Sequence, residues 1–331
     1  MAEVGEAARG ADVLDVGRDG PSAGPTTHGF KERLIAYKDL AKLEIFDVYL
    51  TVPLAASLLT ADQFGTAESI AILVLMLFTQ IGVVTAACAL DDVAGIRDGI
   101  DTYTYGQDSN LRPLKRKPLV NNRLTEAQAI RYAYIAAGVG VACVAAAYAV
   151  ADFEPRWAPL MVVAIVTCVL FYSWGPKLSY IGGQEFVVVL GVTFTLAGTY
   201  ALLTGGMTWT VVLEGLLLGI WLMQLTAFAN QHDREGDKRA NRVTMAVRLD
   251  PSTYNRYLTT LYVLSLVTLA IGLVTEELPW ELAPLAIPAL VIQWIAFNAG
   301  VMRGDGLRAR ALSLTVLRAG WVALFVANLV A

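Results

Sequence analysis

The stretch WTVVLEGLLLGIWLMQLTAFANQHDREGD (residues 209–237) joins an apolar run directly to a cluster of charged and amide side chains. The run has about the 20 residues that a helix needs to cross a bilayer. The same order recurs at residues 67–101, where an apolar run ends in DDVAGIRDGID (residues 91–101). Carboxylates at a membrane boundary are costly unless cations bind them. The two clusters therefore indicate a divalent metal, and the metal indicates a polyanion held between them.

The composition places the chain among polytopic membrane proteins. Of its 331 residues, 56% are hydrophobic and only 16% are charged, and the mean hydropathy is +0.54. Soluble domains carry about 25% charged residues. The three cysteines fall inside apolar runs without a CxxC pair, which predicts neither a disulfide framework nor a zinc site. Small hydrophobic packing is the expected role of these cysteines.

The apolar runs and their flanking charges predict an all-α fold with the N-terminus in the cytoplasm. Nearly all of the 25 Lys and Arg residues fall on one side of the predicted spans, which is the cytoplasmic side by the positive-inside rule. Residues 1–30 are predicted to be a disordered cytoplasmic tail, and residues 31–331 a single transmembrane domain. Nine spans are predicted, at residues 43–61, 67–90, 128–151, 157–174, 184–204, 209–230, 254–275, 279–299 and 312–331.

The spacing within each cluster suits a metal site at a helix end. Asp91 and Asp98 are seven residues apart, and Asp101 follows Asp98 by three. In the second cluster, Asp233 and Asp237 are four residues apart, and Asn230 lies one turn earlier. Residues at these separations share one face of a helix. Mg²⁺ prefers oxygen ligands and binds through one or two carboxylates together with substrate phosphate. The alternative is a pair of solvated charge runs at the membrane surface.

Basic residues follow each acidic cluster and are candidate ligands for phosphate. Arg116 and Lys117 follow the first cluster, and Arg242 follows the second. Such cations bind phosphate oxygens and stabilise charge on a departing diphosphate. The positive-inside rule would place cations in these loops without any such role, and lipid headgroups are alternative partners. Both interpretations stay open at this point.

A third segment, YSWGPKLSYIGGQE (residues 172–185), lies on the same predicted side of the membrane. It supplies a cation, Lys177, and the aromatic rings of Tyr172 and Tyr180. The π faces of aromatic rings attract cations, so either tyrosine can shield a carbocation. Interfacial tyrosine and tryptophan are also ordinary residues of the aromatic belt of membrane proteins.

The run NQHDREGDKRANRVTMAVRL (residues 230–249) resembles the second aspartate-rich motif of the UbiA superfamily of intramembrane prenyltransferases. The most similar branch is that of 1,4-dihydroxy-2-naphthoate prenyltransferase in menaquinone biosynthesis. The segment 172–185 and the first cluster resemble two further motifs of that branch, and the resemblance covers residues 43–331. The first cluster departs from the family pattern at two positions. Asp91 stands where the family usually has Asn, and Gly95 stands where it usually has a second Asp.

The resemblance implies a nine-helix bundle around a central cavity, in which Mg²⁺ helps to ionise an isoprenyl diphosphate. The released prenyl group would then be transferred to an aromatic acceptor. The implied metal ligands are Asp91, Asp92, Asp98, Asp101, Asp233 and Asp237. The implied catalytic residues are Asp92, Asp101, Asp233, Asp237 and Tyr172. The implied residues for binding the diphosphate are Asn230, Lys117, Arg116, Lys177 and Arg242. The expected location is the plasma membrane of a bacterium, with the active-site loops in the cytoplasm.

Two other functions compete with aromatic prenyl transfer. Some members of the superfamily cyclise the prenyl chain, and a terpene cyclase would need the same ionisation without an acceptor. A transporter would need polar residues within the spans, and its candidates are Gln80, Glu214, Gln224, Gln293 and Arg318. The acidic clusters lie at one membrane face instead of the bilayer centre, which disfavours transport. Nucleic acid is not an expected partner.

Overall fold

The computed structural model describes residues 29–45, 47–105, 114–151 and 157–331. The predicted tail lies outside these residues except for its last two positions. Within the described residues the chain is helical and contains no strand. Its helices are α1 (Phe30–Ala41), α2 (Thr51–Ser57), α3 (Ala61–Phe64), α4 (Ala67–Arg97), α5 (Ile100–Tyr105), α6 (Glu126–Val150), α7 (Trp157–Leu170), α8 (Gln184–Thr204), α9 (Trp209–Arg239), α10 (Met245–Arg248), α11 (Pro251–Val274), α12 (Leu282–Phe297) and α13 (Gly306–Val330).

Seven helices of the described part are long and apolar enough to cross a membrane: α4, α6, α8, α9, α11, α12 (with a π-helical continuation to Met302) and α13. They overlap seven of the nine predicted spans. The other two predicted spans form shorter elements. In place of the span at 43–61 there are a 3₁₀ turn, Asp47–Leu50, and the seven-residue α2. The span at 157–174 is the 14-residue α7.

Local sequence explains why these two elements are short. α1 ends at Lys42, whose backbone is left-handed with φ of 51°, and the chain changes direction there. The buried Asp47 in the following turn accepts a hydrogen bond from Arg318 Nε of α13 at 2.6 Å. α7 ends shortly before Gly175, which has φ of 59°, and Pro176. A left-handed glycine followed by proline cannot continue a helix.

The starts of the long helices follow from capping residues. The side chains of Thr66, Thr208, Asp250 and Asp305 each accept a hydrogen bond from a backbone N–H in the first turn of α4, α9, α11 and α13. Thr125 and Gln128 form a reciprocal capping box at the start of α6. These caps satisfy backbone donors that would otherwise lack a partner at the helix start.

α9 is the central helix of the bundle. The most apolar part of α9 is 83% buried within the protein, whereas the most apolar part of α6 is only 22% buried. α8 and α13 pack along α9, and glycines allow close approach. A Cβ atom at Gly320 of α13 would lie 2.2 Å from the ring of Trp221 on α9. Small residues of this kind permit tight helix packing inside membranes, where the hydrophobic effect does not drive association.

α4 and α9 bring the two acidic clusters to one end of the bundle. Each has 31 residues, which is several turns more than the bilayer requires. Their additional turns carry the clusters: Asp91 and Asp92 lie near the end of α4, and Asp233 and Asp237 near the end of α9. α5, which carries Asp101, packs against both helices.

Candidate active site at the charged end of the bundle

One cavity of about 250 Å³ lies between α4, α7, α8 and α9. Most of its wall is apolar. Representative residues of this wall are Val83, Val84, Val162, Ile165, Val166, Val188 and Leu222. The other end of the cavity is charged, because both acidic clusters and several cations reach it. A single chamber therefore combines an apolar region with a charged end.

The structure brings most of the predicted site residues to this cavity. Those that line it are Asp91, Asp101, Asp233, Asp237, Asn230, Arg116, Lys117, Arg242 and Tyr172. Asp92, Asp98 and Lys177 do not line it, but each contacts a residue of the same charged region. Residues from positions 91 to 242 thus meet in one place, as the paired clusters predict.

Lysines occupy much of the first acidic cluster. Lys117 Nζ lies 2.7 Å from Asp92 Oδ1 and 2.6 Å from Asp101 Oδ2. Lys42, which follows α1, also donates to Asp92 Oδ1. Lys42 lines the cavity, yet in the sequence it is only one of several cations before the first apolar run. No sequence signal separates it from those neighbours, so its role depends on how α1 packs against α4.

Asp101 fills the space beside Gly95. A Cβ atom at Gly95 would lie 2.6 Å from Asp101 Oδ2, which is too close for any side chain. Gly95 is the position where the family usually has an aspartate. Here the carboxylate that occupies this space comes from α5, six residues further along the chain. The next carboxylate along the chain, Asp98, is instead held by Tyr180 and Lys177.

Asp91 connects the two halves of the site. Ser173 Oγ donates a hydrogen bond of 2.6 Å to Asp91 Oδ1, and Arg242 Nη2 lies 3.5 Å from the same oxygen. Arg242 also lies over the ring of Tyr172, 5.8 Å from its centroid. Burial opposes the charge of Arg242, but Asp91 and the other acidic groups outweigh it and raise the pKa of the guanidinium. Arg242 is therefore a permanent cation between the clusters.

Tyr180 and Lys177 hold Asp98 at the rim of the site. Tyr180 donates a hydrogen bond to Asp98 Oδ2, and Lys177 Nζ lies 3.6 Å from that oxygen. Lys177 also lies 4.5 Å from the centroid of the Tyr180 ring. Burial and the hydrogen bond to Asp98 raise the pKa of Tyr180, and burial raises the pKa of Tyr172. Both phenols are therefore neutral donors at physiological pH.

The second cluster directs its carboxylates to the same cavity. Asp237 Oδ2 accepts a hydrogen bond of 3.2 Å from Thr244, and the backbone N–H of Arg242 donates to the carbonyl oxygen of Asp237 at 2.8 Å. These contacts turn the chain back toward the site after α9. Asp233 and Asn230 lie on the cavity wall one turn and two turns before Asp237.

The donor atoms at the charged end fit Mg²⁺ in kind. Asp91, Asp233, Asp237 and Asn230 all contribute side-chain oxygen to the wall of one cavity. Within the described ranges, no three carboxylate, histidine or cysteine side chains lie together as a complete metal site. Mg²⁺ is normally held by one or two carboxylates, with water and substrate phosphate as the remaining ligands. Carboxylates that face a cavity, with room for water and phosphate, suit this coordination of Mg²⁺.

Comparison with known proteins agrees with this architecture. The model of the UbiA prenyltransferase family matches residues 50–327. The chain therefore belongs to the UbiA prenyltransferase family, and it is an enzyme of the prenyltransferase class embedded in a membrane. A sequence comparison with curated proteins found no match.

Solved structures show the same fold at low sequence identity. A structure of digeranylgeranylglyceryl phosphate synthase is similar with a TM-score of 0.60 and 14% identity, over 91% of this chain and 100% of that one. A UbiA homologue from Archaeoglobus fulgidus bound to DMAPP and Mg²⁺ has a TM-score of 0.59 and 15% identity, over 87% and 99% of the two chains. A UbiA homologue from Aeropyrum pernix K1 gives 0.59 and 15%, over 85% and 98%.

Proposed function

We propose that the protein transfers a prenyl group from an isoprenyl diphosphate to an aromatic acceptor in a reaction that depends on Mg²⁺. The observation that carries this proposal is the single cavity with two chemically different parts. Its charged end has carboxylates from α4, α5 and α9 together with Arg116, Lys117 and Arg242. Its remaining wall is apolar and suits a hydrocarbon chain. A prenyl diphosphate has the same division between a polyanionic head and an apolar tail.

The cations at the charged end are the proposed ligands of the diphosphate. Lys117 and Arg242 are fixed by carboxylates, so their positions are set before the substrate binds. Arg116 lines the same end of the cavity, Asn230 adds an amide on α9, and Lys177 lies at the rim. Cations held in place stabilise the charge that develops as a diphosphate departs.

The proposed metal site lies between the two acidic clusters. Asp233, Asp237 and Asp91 present oxygen at the cavity wall, and Asp101 lines the cavity although Lys117 contacts it. Asp92 and Asp98 complete the proposed set of metal ligands, although neither lines the cavity. Mg²⁺ bound there would act as a Lewis acid and orient the diphosphate. A UbiA homologue from Archaeoglobus fulgidus has been solved with DMAPP and Mg²⁺, which supports both ligands.

In the proposed reaction, the C–O bond of the diphosphate breaks and its electron pair leaves with the diphosphate. The allylic cation that remains is attacked by a carbon of the aromatic ring, which then loses its proton to solvent. Tyr172 lines the cavity, and in the proposed reaction its aromatic ring would shield the allylic cation. Its raised pKa keeps the phenol neutral, so it does not compete as a phenolate nucleophile.

The proposed acceptor is a quinone precursor such as 1,4-dihydroxy-2-naphthoate, because segments 172–185 and 230–249 resemble that branch of the family. The competing function is a terpene cyclase, in which the cation closes on its own chain. The altered first cluster, with Gly95 and Asp101 in an unusual arrangement, keeps cyclisation as the second candidate.

The proposed topology has nine membrane segments, with α2 and α7 entering the bilayer beside the seven long helices. The N-terminus and the charged end of the cavity would face the cytoplasm, since most Lys and Arg residues lie on that side. Residues 31–331 would form one transmembrane domain behind a disordered tail, in the plasma membrane of a bacterium.

The direct test is to incubate purified protein in detergent or nanodiscs with geranyl diphosphate and Mg²⁺, with and without 1,4-dihydroxy-2-naphthoate or 4-hydroxybenzoate. Mass spectrometry of the products separates the candidates. A prenylated aromatic formed only with the acceptor supports transfer, while a cyclic hydrocarbon or alcohol formed from the diphosphate alone supports cyclisation. EDTA should stop either reaction.

Two variants test the site itself. Asp233→Ala and Asp92→Ala should abolish turnover while the proteins remain folded. Asp250→Ala is a matched control, because Asp250 caps α11 and does not line the cavity. Full activity of both site variants in membranes that contain Mg²⁺ would sink the assignment.

A further inference from the structure

A buried glutamine at the cavity has a side-chain carbonyl oxygen that no described residue binds. Gln184 is the first residue of α8, is only 1% exposed and lines the cavity. Its Oε1 atom is buried and has no hydrogen-bond partner among the described residues. A buried polar atom without a partner costs free energy unless a ligand or water satisfies it.

Other buried or partly buried glutamines of the bundle use their amides to hold helices together. Gln293 donates to Gln224 Oε1 at 3.0 Å and to Ser265 Oγ at 2.7 Å. Gln231 donates to the carbonyl oxygen of Gly300 at 3.1 Å. The Oε1 atoms of Gln231 and Gln293 are also without a partner in the described part of the chain, but their amide nitrogens join helices. No such bond is described for Gln184, and Gln184 is the one of these three glutamines that lines the cavity.

Gln184 lies near the charged end of the cavity. It is the next-to-last residue of the segment 172–185. In this segment the carbonyl oxygen of Tyr180 accepts a hydrogen bond of 3.3 Å from the backbone N–H of Val243, which follows α9. Ser173 of the same segment contacts Asp91. These contacts hold the segment that leads into α8 at the charged end, and Gln184 lines the cavity from the first residue of α8.

The chemistry of the unpaired atom selects between the two substrates. A carbonyl oxygen accepts hydrogen bonds, while an ionised diphosphate and a prenyl tail have no N–H or O–H to donate. An aromatic acceptor with a hydroxyl group does. We infer that Gln184 binds a hydroxyl group of the aromatic acceptor through Oε1 and thereby selects hydroxylated aromatics as the second substrate. This inference rests on the proposed transfer reaction and names the recognition element for its acceptor.

The experiment compares wild type, Gln184→Met and Gln184→Glu with geranyl diphosphate as donor. The acceptors are 1,4-dihydroxy-2-naphthoate, 4-hydroxybenzoate and their mono-O-methyl ethers. Methionine keeps the length of the side chain and removes the acceptor oxygen, and glutamate keeps an acceptor oxygen. Thermal unfolding of each variant establishes that it is folded.

For Gln184→Met we expect the KM for the hydroxylated acceptor to rise about tenfold, as one lost hydrogen bond predicts. The KM for geranyl diphosphate should stay within about twofold of wild type on the same grounds, because the donor does not contact this amide. The variant should also lose the wild-type preference for the hydroxyl over its methyl ether. Gln184→Glu should retain that preference.

Gln80 provides a matched control on the same cavity. It lies eleven residues before Asp91 on α4, about 16 Å from the carboxylates at 1.5 Å per residue. Gln80→Met should leave the KM for the acceptor within about twofold of wild type, since its depth suits the prenyl tail.

Three outcomes would overturn the inference. An unchanged acceptor KM in Gln184→Met, with an active wild type, contradicts it and leaves the proposed function intact. A rise in the KM for geranyl diphosphate alone, greatest in Gln184→Glu, would mean that the amide nitrogen donates to the diphosphate. If wild type forms a cyclic product and prenylates none of the aromatics, the proposed transfer fails and the inference fails with it.

Discussion

The acidic clusters at the ends of α4 and α9 are alike in sequence and different in their surroundings. In the first, Asp92 and Asp101 are buried and bound by Lys42 and Lys117. In the second, Asp237 takes a hydroxyl hydrogen bond from Thr244 and lines the cavity. The first cluster therefore forms ion pairs with two lysines, whereas Asp237 of the second cluster accepts a hydrogen bond from a threonine.

The difference implies a division of labour between the clusters. Two lysines and two aspartates balance in charge, so the first cluster fixes Lys42 and Lys117 at the cavity before any substrate arrives. A metal that took Asp92 as a ligand would have to displace a lysine. At the second cluster, the cation beside Asp237 is Arg242, which also lies near Asp91. Mutations should therefore affect the two clusters in different ways.

The largest effect is expected at the second cluster. Asp233→Asn removes a charged oxygen ligand and should lower kcat by on the order of a thousandfold, because metal stabilisation of the leaving diphosphate is lost. The concentration of Mg²⁺ for half-maximal rate should rise as well, and a Mg²⁺ titration of turnover measures both.

The corresponding variant of the first cluster should lose stability together with activity. Asp92→Asn leaves Lys42 and Lys117 buried with one carboxylate fewer, and breaking a buried ion pair costs about 3 kcal/mol. Thermal unfolding in detergent measures this loss. Asp92→Asn with Lys42→Met should recover part of the stability, because the unpaired charge is removed. If Asp92→Asn unfolds at the same temperature as wild type, pairing with Lys42 and Lys117 does not stabilise the fold, and the contrast between the clusters is wrong.

Sequence periodicity and charge were sufficient to predict the general architecture. Long apolar runs with threonine and aspartate caps define the seven long helices, and the length of α4 and α9 places both clusters beyond the apolar core. The predicted spans at 43–61 and 157–174 form shorter helices, because hydropathy does not register the 3₁₀ turn Asp47–Leu50 within the first or the end of α7 at Leu170 within the second.

The pairing within the site was less accessible to sequence. Asp91, Asp233 and Asp237 were predicted at one site from their spacing, from the position of both clusters at one membrane face and from the family resemblance, and they line one cavity. The attachment of Lys42 to Asp92 joins residues 50 positions apart and depends on how α1 packs on α4. The fit of Asp101 beside Gly95 depends on the left-handed turn at Gly99, whose geometry spacing does not reveal.

Gly95 offers a smaller test of the first cluster. Gly95→Ala places a Cβ atom 2.6 Å from Asp101 Oδ2, so Asp101 and its contact with Lys117 must shift. Overpacking of this kind costs about 1–3 kcal/mol, and we expect activity to fall about tenfold as the cation moves. Thermal unfolding and steady-state rates measure the two effects.

Gly138→Ala is the matched control on α6, because nothing lies within 4 Å of the added carbon. Alanine favours a helix over glycine, so this variant should be as stable as wild type or more stable by up to about 1 kcal/mol. If Gly95→Ala has the same stability and rate as Gly138→Ala, the position of Asp101 beside Gly95 is not needed for activity.

The smallest effect is expected at the rim, where Tyr180→Phe removes the hydrogen bond to Asp98. Tyr180 has a raised pKa because of burial and Asp98, so the stabilisation from its neutral phenol is fully present below the unfolded pKa of about 10 and is lost only as pH rises through the higher folded pKa. The rate of Tyr180→Phe should therefore be about fivefold below that of wild type, as the loss of one hydrogen bond predicts. This ratio should stay the same from pH 7 to about pH 9. Tyr134→Phe, at an exposed position of α6, should show no such loss. A gap that closes between pH 7 and 9 would mean that the phenol ionises in that range, contrary to the burial and hydrogen bonding of Tyr180.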